Sequence, residues 1–140
     1  MKNKYVDNLI QRINRKDWWH VTPLDPKAYR KRGKFLSSTY REAEFYGRPN
    51  DTPERVSVHK PLIGDERTIE TVLLGTPAPR DPDASDLADQ QFAIDAKLYK
   101  IGRAQGYDAI VLLSPKGFAK FRTEGRIPLH IELNLLVGSW

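Results

Sequence analysis

The chain has 140 residues and no cysteine, which excludes disulfide staples, thiolate metal sites and a cysteine nucleophile. Its 39% hydrophobic and 29% charged composition belongs to a globular protein, and the length fits one domain, residues 1–140, able to bury a real core. A formal net charge of +5 favours phosphate-bearing partners. No apolar run approaches the ~18 residues of a membrane span, and no signal-like segment opens the chain. The expectation is a soluble, cytoplasmic protein with no membrane partner.

In chain order, Val6, Leu9, Ile10 and Ile13 stand at helical spacing and predict a first helix over 5–14. "WWHVT" (18–22) reads as a strand, its two tryptophans alternating so that one packs the core and the other borders a cleft. "DPKAYRKR" (25–32) predicts one helical turn and "KFLSS" (34–38) a short strand. In "TYREAEFYG" (39–47), Thr39 or Ser38 serves as N-cap, Glu42 stands in capping-box position and Gly47 is the stop. "RVSVHKPLI" (55–63) alternates like a strand, and "TIETVLLG" (68–75) is another extended candidate. Residues 76–86, rich in proline and aspartate, form a loop ahead of a helix from Leu87 to about Gln105, with Leu87, Ile94, Leu98 and Ile101 on one face. "YDAIVLLS" (107–114) predicts a central strand. "PKGFAKFRTEGR" (115–126) is a basic loop or short helix. In "IPLHIELNLLVG" (127–138), Leu129, Ile131, Leu133 and Leu135 point one way, and His130, Glu132 and Asn134 the other. Strands and helices without regular alternation make this an α+β chain.

Several chemistries lack their motifs: no phosphate-binding glycine loop, no G-x-G-x-x-G, no H-E-x-x-H and no G-x-S-x-G occur. His20, His59 and His130 are far apart in sequence, and no metal site is expected. One ordered constellation remains. It begins with Trp19, His20 and Thr22. "GKFLSSTYREAEFYG" follows, in which a strand ends in small hydroxyl residues before a helix carrying Ala43 and Tyr46. Then come a long helix, the strand "GYDAIV", a loop, and a strand bearing Glu132.

From about Trp18 to Leu136, this order resembles the ADP-ribosyltransferase family in its His-Tyr-Glu branch, in particular its small phage and bacterial members, some of them toxins or effectors. The resemblance implies an α+β, ADP-ribosyltransferase-like fold in which two small mixed or antiparallel sheets form a cleft flanked by helices. It implies an NAD-dependent glycosyltransferase that moves ADP-ribose onto a macromolecule, protein or nucleic acid, and releases nicotinamide. Under it, His20 holds the ribose or amide end of NAD, and Val21 and Thr22 fix the nicotinamide amide. Tyr46 stacks on the nicotinamide ring. Ser37 stands where many relatives place another aromatic, a part Tyr40 can take. Arg30, Arg32 or Arg41 meet the pyrophosphate, and Glu132 bonds the 2′-hydroxyl of the nicotinamide ribose. His130 departs from the acidic or amide residue common two places before the catalytic glutamate. It and Glu124, a rival for the catalytic place, are assigned to substrate recognition.

The chemistry suits these residue types. Cleaving the nicotinamide bond develops positive charge on the ribose, which a fixed carboxylate stabilises. A second reading is a non-enzymatic basic module that binds nucleic acid or protein. There Tyr29, Phe118 and Phe121 stand between cations in "KAYRKRGK" and "KGFAKFRTEGR" and can stack on bases. A third is a related enzyme that removes a 2′-phosphate from RNA with NAD.

Overall fold

Helix α1 (Lys4–Arg15) begins where Asn3 accepts the Tyr5 and Val6 N–H groups at 3.0 and 3.3 Å, satisfying donors that have no partner in the first turn. Leu9 and Ile13, one turn apart, are fully buried beneath it. In this computed structural model, residues 3–25, 27–44, 47–83 and 85–138 are described. Trp18 follows in the core, and its indole N–H donates to the Ile13 carbonyl at 2.9 Å, so the ring enters the interior with its donor satisfied.

Strand β1 is only Trp19–His20, with Trp18 making a single bridge to Glu54. Helix α2 (Ala28–Arg32) ends at Gly33 and feeds β2 (Lys34–Ser37). Helix α3 (Tyr40–Ala43) is capped by Thr39, whose hydroxyl accepts the Glu42 N–H at 3.2 Å. Strand β3 (Pro61–Gly64), helices α4 (Glu66–Leu74) and α5 (Leu87–Ala104), strand β4 (Ala109–Leu112), helix α6 (Pro115–Glu124) and strand β5 (Glu132–Leu135) complete the described elements.

The strands form one mixed sheet in the order β1-β2-β5-β4-β3, antiparallel except for the parallel pair β3/β4. The two small sheets expected from the sequence are therefore joined. The reason lies in β5: Leu133 pairs with Leu36 of β2 on one side and Val111 of β4 on the other, so the last strand closes the gap between the halves. The α+β class itself is present, with six helices among the described residues.

Cross-strand partners share a face and neighbours along a strand alternate. Leu36, Leu133, Val111 and Ala109 thus point to one face, where α1 and α6 cover them with Leu9, Ile13, Phe118 and Phe121. Leu62 and Ile110 point to the other, under Ile69 and Leu73 of α4 and Ile94 and Leu98 of α5.

Three local expectations change. Residues 68–74 are helical, part of α4. Asp65 accepts the Thr68 N–H at 2.8 Å, and Gly75 adopts the left-handed stop, while Ile69 and Leu73 bury at a helical interval. Residues 55–60 are irregular rather than a strand, because side chains take their backbone groups. Asn14 bonds both the N–H and the carbonyl of Val58, at 2.7 and 2.9 Å, and the Asp108 carboxylate accepts the His59 and Lys60 N–H groups. Of the loop or short helix expected at 115–126, the structure has the helix, capped by Ser114. Leu129 is 84% exposed and lies outside the strand, whereas Asn134 is buried on the supposed solvent side because α2 and α5 close over that end. Among the described residues, no helix is long and apolar enough to cross a membrane.

Candidate functional site

The register places Trp19 beside Ser37, Ser37 beside Glu132, and Glu132 beside Leu112, so these four side chains form a row on one face of the sheet. Helices α4 and α5 cover the β3/β4 end of this face. Over β1 and β2 lies α3, whose Tyr40 meets Trp19 edge-on with ring centroids 5.1 Å apart. Glu132, half-buried, stands on β5 between these two covers. Ser37 is buried, while Tyr40 and Phe35 are 39% and 43% exposed. The result is an aromatic-walled strip with a hydroxyl and a carboxylate on its floor.

The flanking backbone is held firmly. Ser38 takes the Ile131 N–H at 3.0 Å and donates its hydroxyl to the Leu129 carbonyl at 3.2 Å, and its own N–H bonds the Ile131 carbonyl. This ties the end of β2 to the approach of β5. His130 Nδ1–H donates to Glu42 at 2.6 Å, tying α3 to the same approach. Glu42, expected to complete a capping box, spends its carboxylate on that contact.

His20 does not join Glu132. It pairs with Leu36, which pairs with Leu133, so its side chain leaves the sheet on the opposite face from Glu132. Its ring is 4% exposed and both nitrogens are occupied. A carbonyl can only accept, so Nδ1 carries the hydrogen and donates to the Phe35 carbonyl at 2.8 Å. Nε2 then accepts the Tyr29 hydroxyl at 2.7 Å. Burial pushes the imidazole below its ordinary range. The Phe35 bond opposes that shift and the nearby Lys34 ammonium adds to it. His20 is thus a neutral brace between β1, β2 and α2.

The remaining expected residues scatter around this strip. Val21 is half-buried, and the Thr22 hydroxyl donates to Asn50 at 3.0 Å. Arg30 is exposed, and the Arg32 guanidinium lies 4.0 Å from the Phe92 ring centroid of α5. Arg41 is exposed on α3. Tyr46 lies outside the described residues. Glu124 ends α6, the helix on the face away from Glu132. Phe118 and Phe121, assigned to base stacking in the second reading, are buried in the core and cannot serve it. Trp18 and Trp19 divide as the alternation implies, Trp18 fully buried and Trp19 against Tyr40.

Two features escaped the sequence reading. Tyr29, a base stacker in the second reading, is the partner of His20. Glu70 is a buried carboxylate that no motif marks: it accepts both Nη groups of Arg80, at 3.0 and 2.7 Å, and the Ala78 N–H at 2.7 Å. Burial opposes its ionisation, but those bonds prevail and hold the carboxyl below its ordinary range. Every Glu70 partner is a structural neighbour, so this carboxylate anchors a loop. No protein family, curated protein or solved structure matches the chain.

Proposed function

We propose that this protein is an NAD-dependent ADP-ribosyltransferase whose reacting carboxylate is Glu132. The reading is supported by one observation above all: Trp19, Ser37 and Glu132 stand side by side on three adjacent strands, on a strip between α3 and the α4/α5 layer. Flat aromatic edges suit a nicotinamide or adenine ring. Glu132 stands where it can stabilise the positive charge that develops on a ribose as its bond to nicotinamide stretches. The C1′–N bond breaks with its electron pair passing to the pyridinium ring, which leaves as neutral nicotinamide. The acceptor atom bonds C1′ and gives up a proton. The resemblance of the chain order to ADP-ribosyltransferases supports this choice of reaction, and the proposed site comprises Trp19, Ser37, Tyr40 and Glu132. In this reading His20 is a positioning residue, bracing β1 and β2 from behind rather than touching NAD.

The test follows free nicotinamide and adenylate label during incubation with NAD and a lysate containing protein and nucleic acid. Glu132→Gln, which keeps size and polarity, is expected to lower transfer by about 100-fold or more while leaving the unfolding transition in place. Trp19→Ala is expected to act mainly on the apparent affinity for NAD. Wild-type protein that neither binds NAD by calorimetry nor releases nicotinamide rules the reading out. Undiminished transfer by Glu132→Gln moves the chemistry to another carboxylate.

A further inference from the structure

A cavity of about 210 Å³ is lined by Ser114, Lys116, Gly117, Lys120, Arg126 and Pro128. It lies where the chain leaves β4 and enters α6, and Arg126 and Pro128 close it from the segment leading to β5. Three of its six lining residues are cations and none is a carboxylate. Lys116, Lys120 and Arg126 form no ion pair among the described residues, although the structure pairs Lys31, Lys34, Arg55 and Arg80 with acids elsewhere. Like charges gathered without counter-charge repel one another, and an anion in the cavity relieves that repulsion.

The shape is set by Gly117. A Cβ there would stand 3.0 Å from the Ser114 hydroxyl and 3.1 Å from Pro128, so glycine lets the Arg126–Pro128 segment close against the helix. The Ser114 hydroxyl oxygen accepts the Gly117 N–H at 3.0 Å, which holds Ser114 at the rim, and the three cationic side chains supply the net charge. No aromatic ring lines the cavity to recognise a base or sugar face.

We infer that this cavity is a phosphate site, and that it takes a terminal phosphomonoester rather than a backbone phosphodiester. Charge and concavity carry this assignment. Three cations border one concave space, which suits a compact dianion with three free oxygens, whereas a backbone carries one charge per phosphate along an extended track. The site is separate from the Glu132 strip, and its test leaves NAD aside, so either assignment can fail alone.

Amide resonances of Ser114 and Gly117 are followed by NMR in the full chain during titration with inorganic phosphate, AMP and adenosine. Inorganic phosphate and AMP are expected to shift them saturably, and adenosine to leave them in place. Lys120→Gln and Arg126→Gln are each expected to weaken AMP binding by about tenfold, the loss of one charge-assisted contact. Lys97→Gln, on the exposed face of α5, removes the same charge and is expected to change it less than about twofold. A short oligonucleotide with and without a 5′-phosphate separates the sources. Tighter binding than AMP, only when phosphorylated, points to a nucleic-acid end, and binding equal to AMP points to a free nucleotide. The inference is overturned by no saturable shift with inorganic phosphate, by equal shifts with adenosine, or by equal weakening in Lys97→Gln.

Discussion

At the scale of single residues, His20 and Gly33 carry the sharpest expectations. His20 is neutral in the fold because burial lowers its pKa from the ordinary 6.5. The unfolded chain therefore binds more protons near that pH than the folded one, and stability rises with pH. Its contribution is complete above pH 6.5 and is lost as pH falls from there toward the lowered value. Asp25, Asp65 and Glu70 are also depressed, but from ordinary values of 3.8, 3.8 and 4.5, so their window lies lower. The urea midpoint is expected to fall between pH 7 and 5, and His20→Gln to flatten that dependence. An equally steep profile in the variant would assign the titration elsewhere. Gly33 has φ +86° and ψ −174°, and an added Cβ would collide with Asn134 Oδ1 and stand 2.6 Å from the Leu135 carbonyl. Asn134 in turn donates to the Arg32 carbonyl at 2.9 Å, so the α2–β2 turn and β5 interlock. Gly33→Ala combines backbone strain with overpacking and is expected to cost about 3 kcal/mol in urea unfolding. In the sequence Gly33 only precedes the strand "KFLSS"; its collision partner is a hundred residues away and is legible only in the fold.

At the scale of elements, α4 shows how tertiary context overrides propensity. "TIETVLL" is rich in β-branched residues and suits a strand, yet Asp65 caps it and Gly75 stops it. The extended reading rests on local propensity, which does not tell which partner the apolar residues meet. Glu70 of α4 then fixes the loop at 78–80 through Arg80, which also reaches Glu66 at 2.6 Å. The two acids differ in burial, Glu70 at 2% exposed and Glu66 at 61%. Glu70→Ala strands a partly buried guanidinium and an N–H, and is expected to cost about 3 kcal/mol. Glu66→Ala removes a screened contact and is expected to cost less than about 1 kcal/mol. Comparable losses in urea denaturation would mean that Arg80 is held by its other partners.

At the scale of the whole molecule, sheet order decides the site. β5, last in sequence, sits in the middle of the sheet, and both its neighbours are remote segments. That insertion puts Glu132 next to Ser37, some ninety-five positions earlier, and next to Leu112 at the end of β4. It also sets His20 on the opposite face, since a one-residue offset along a pleated strand reverses the side. His20 and Glu132, read together from the sequence, part for that reason, while Trp19 and Glu132 come together. The basic segment at 115–126 divides in the same way: helical periodicity sends Phe118 and Phe121 into the core and leaves Lys116, Lys120 and Arg126 around a cavity.

The sequence by itself determined the α+β class, the helices α1 and α5, a hydroxyl cap at Ser38 or Thr39 and the central apolar strand β4. Each of these rests on interactions within a dozen or so residues: spacing, capping and hydrophobic pattern. Only the tertiary structure decided that there is one sheet, that α4 is a helix, that His20 is a brace and that Glu132 shares a strip with Trp19 and Ser37. Those outcomes depend on strand register between segments far apart in the chain, and register is set when whole faces are buried together.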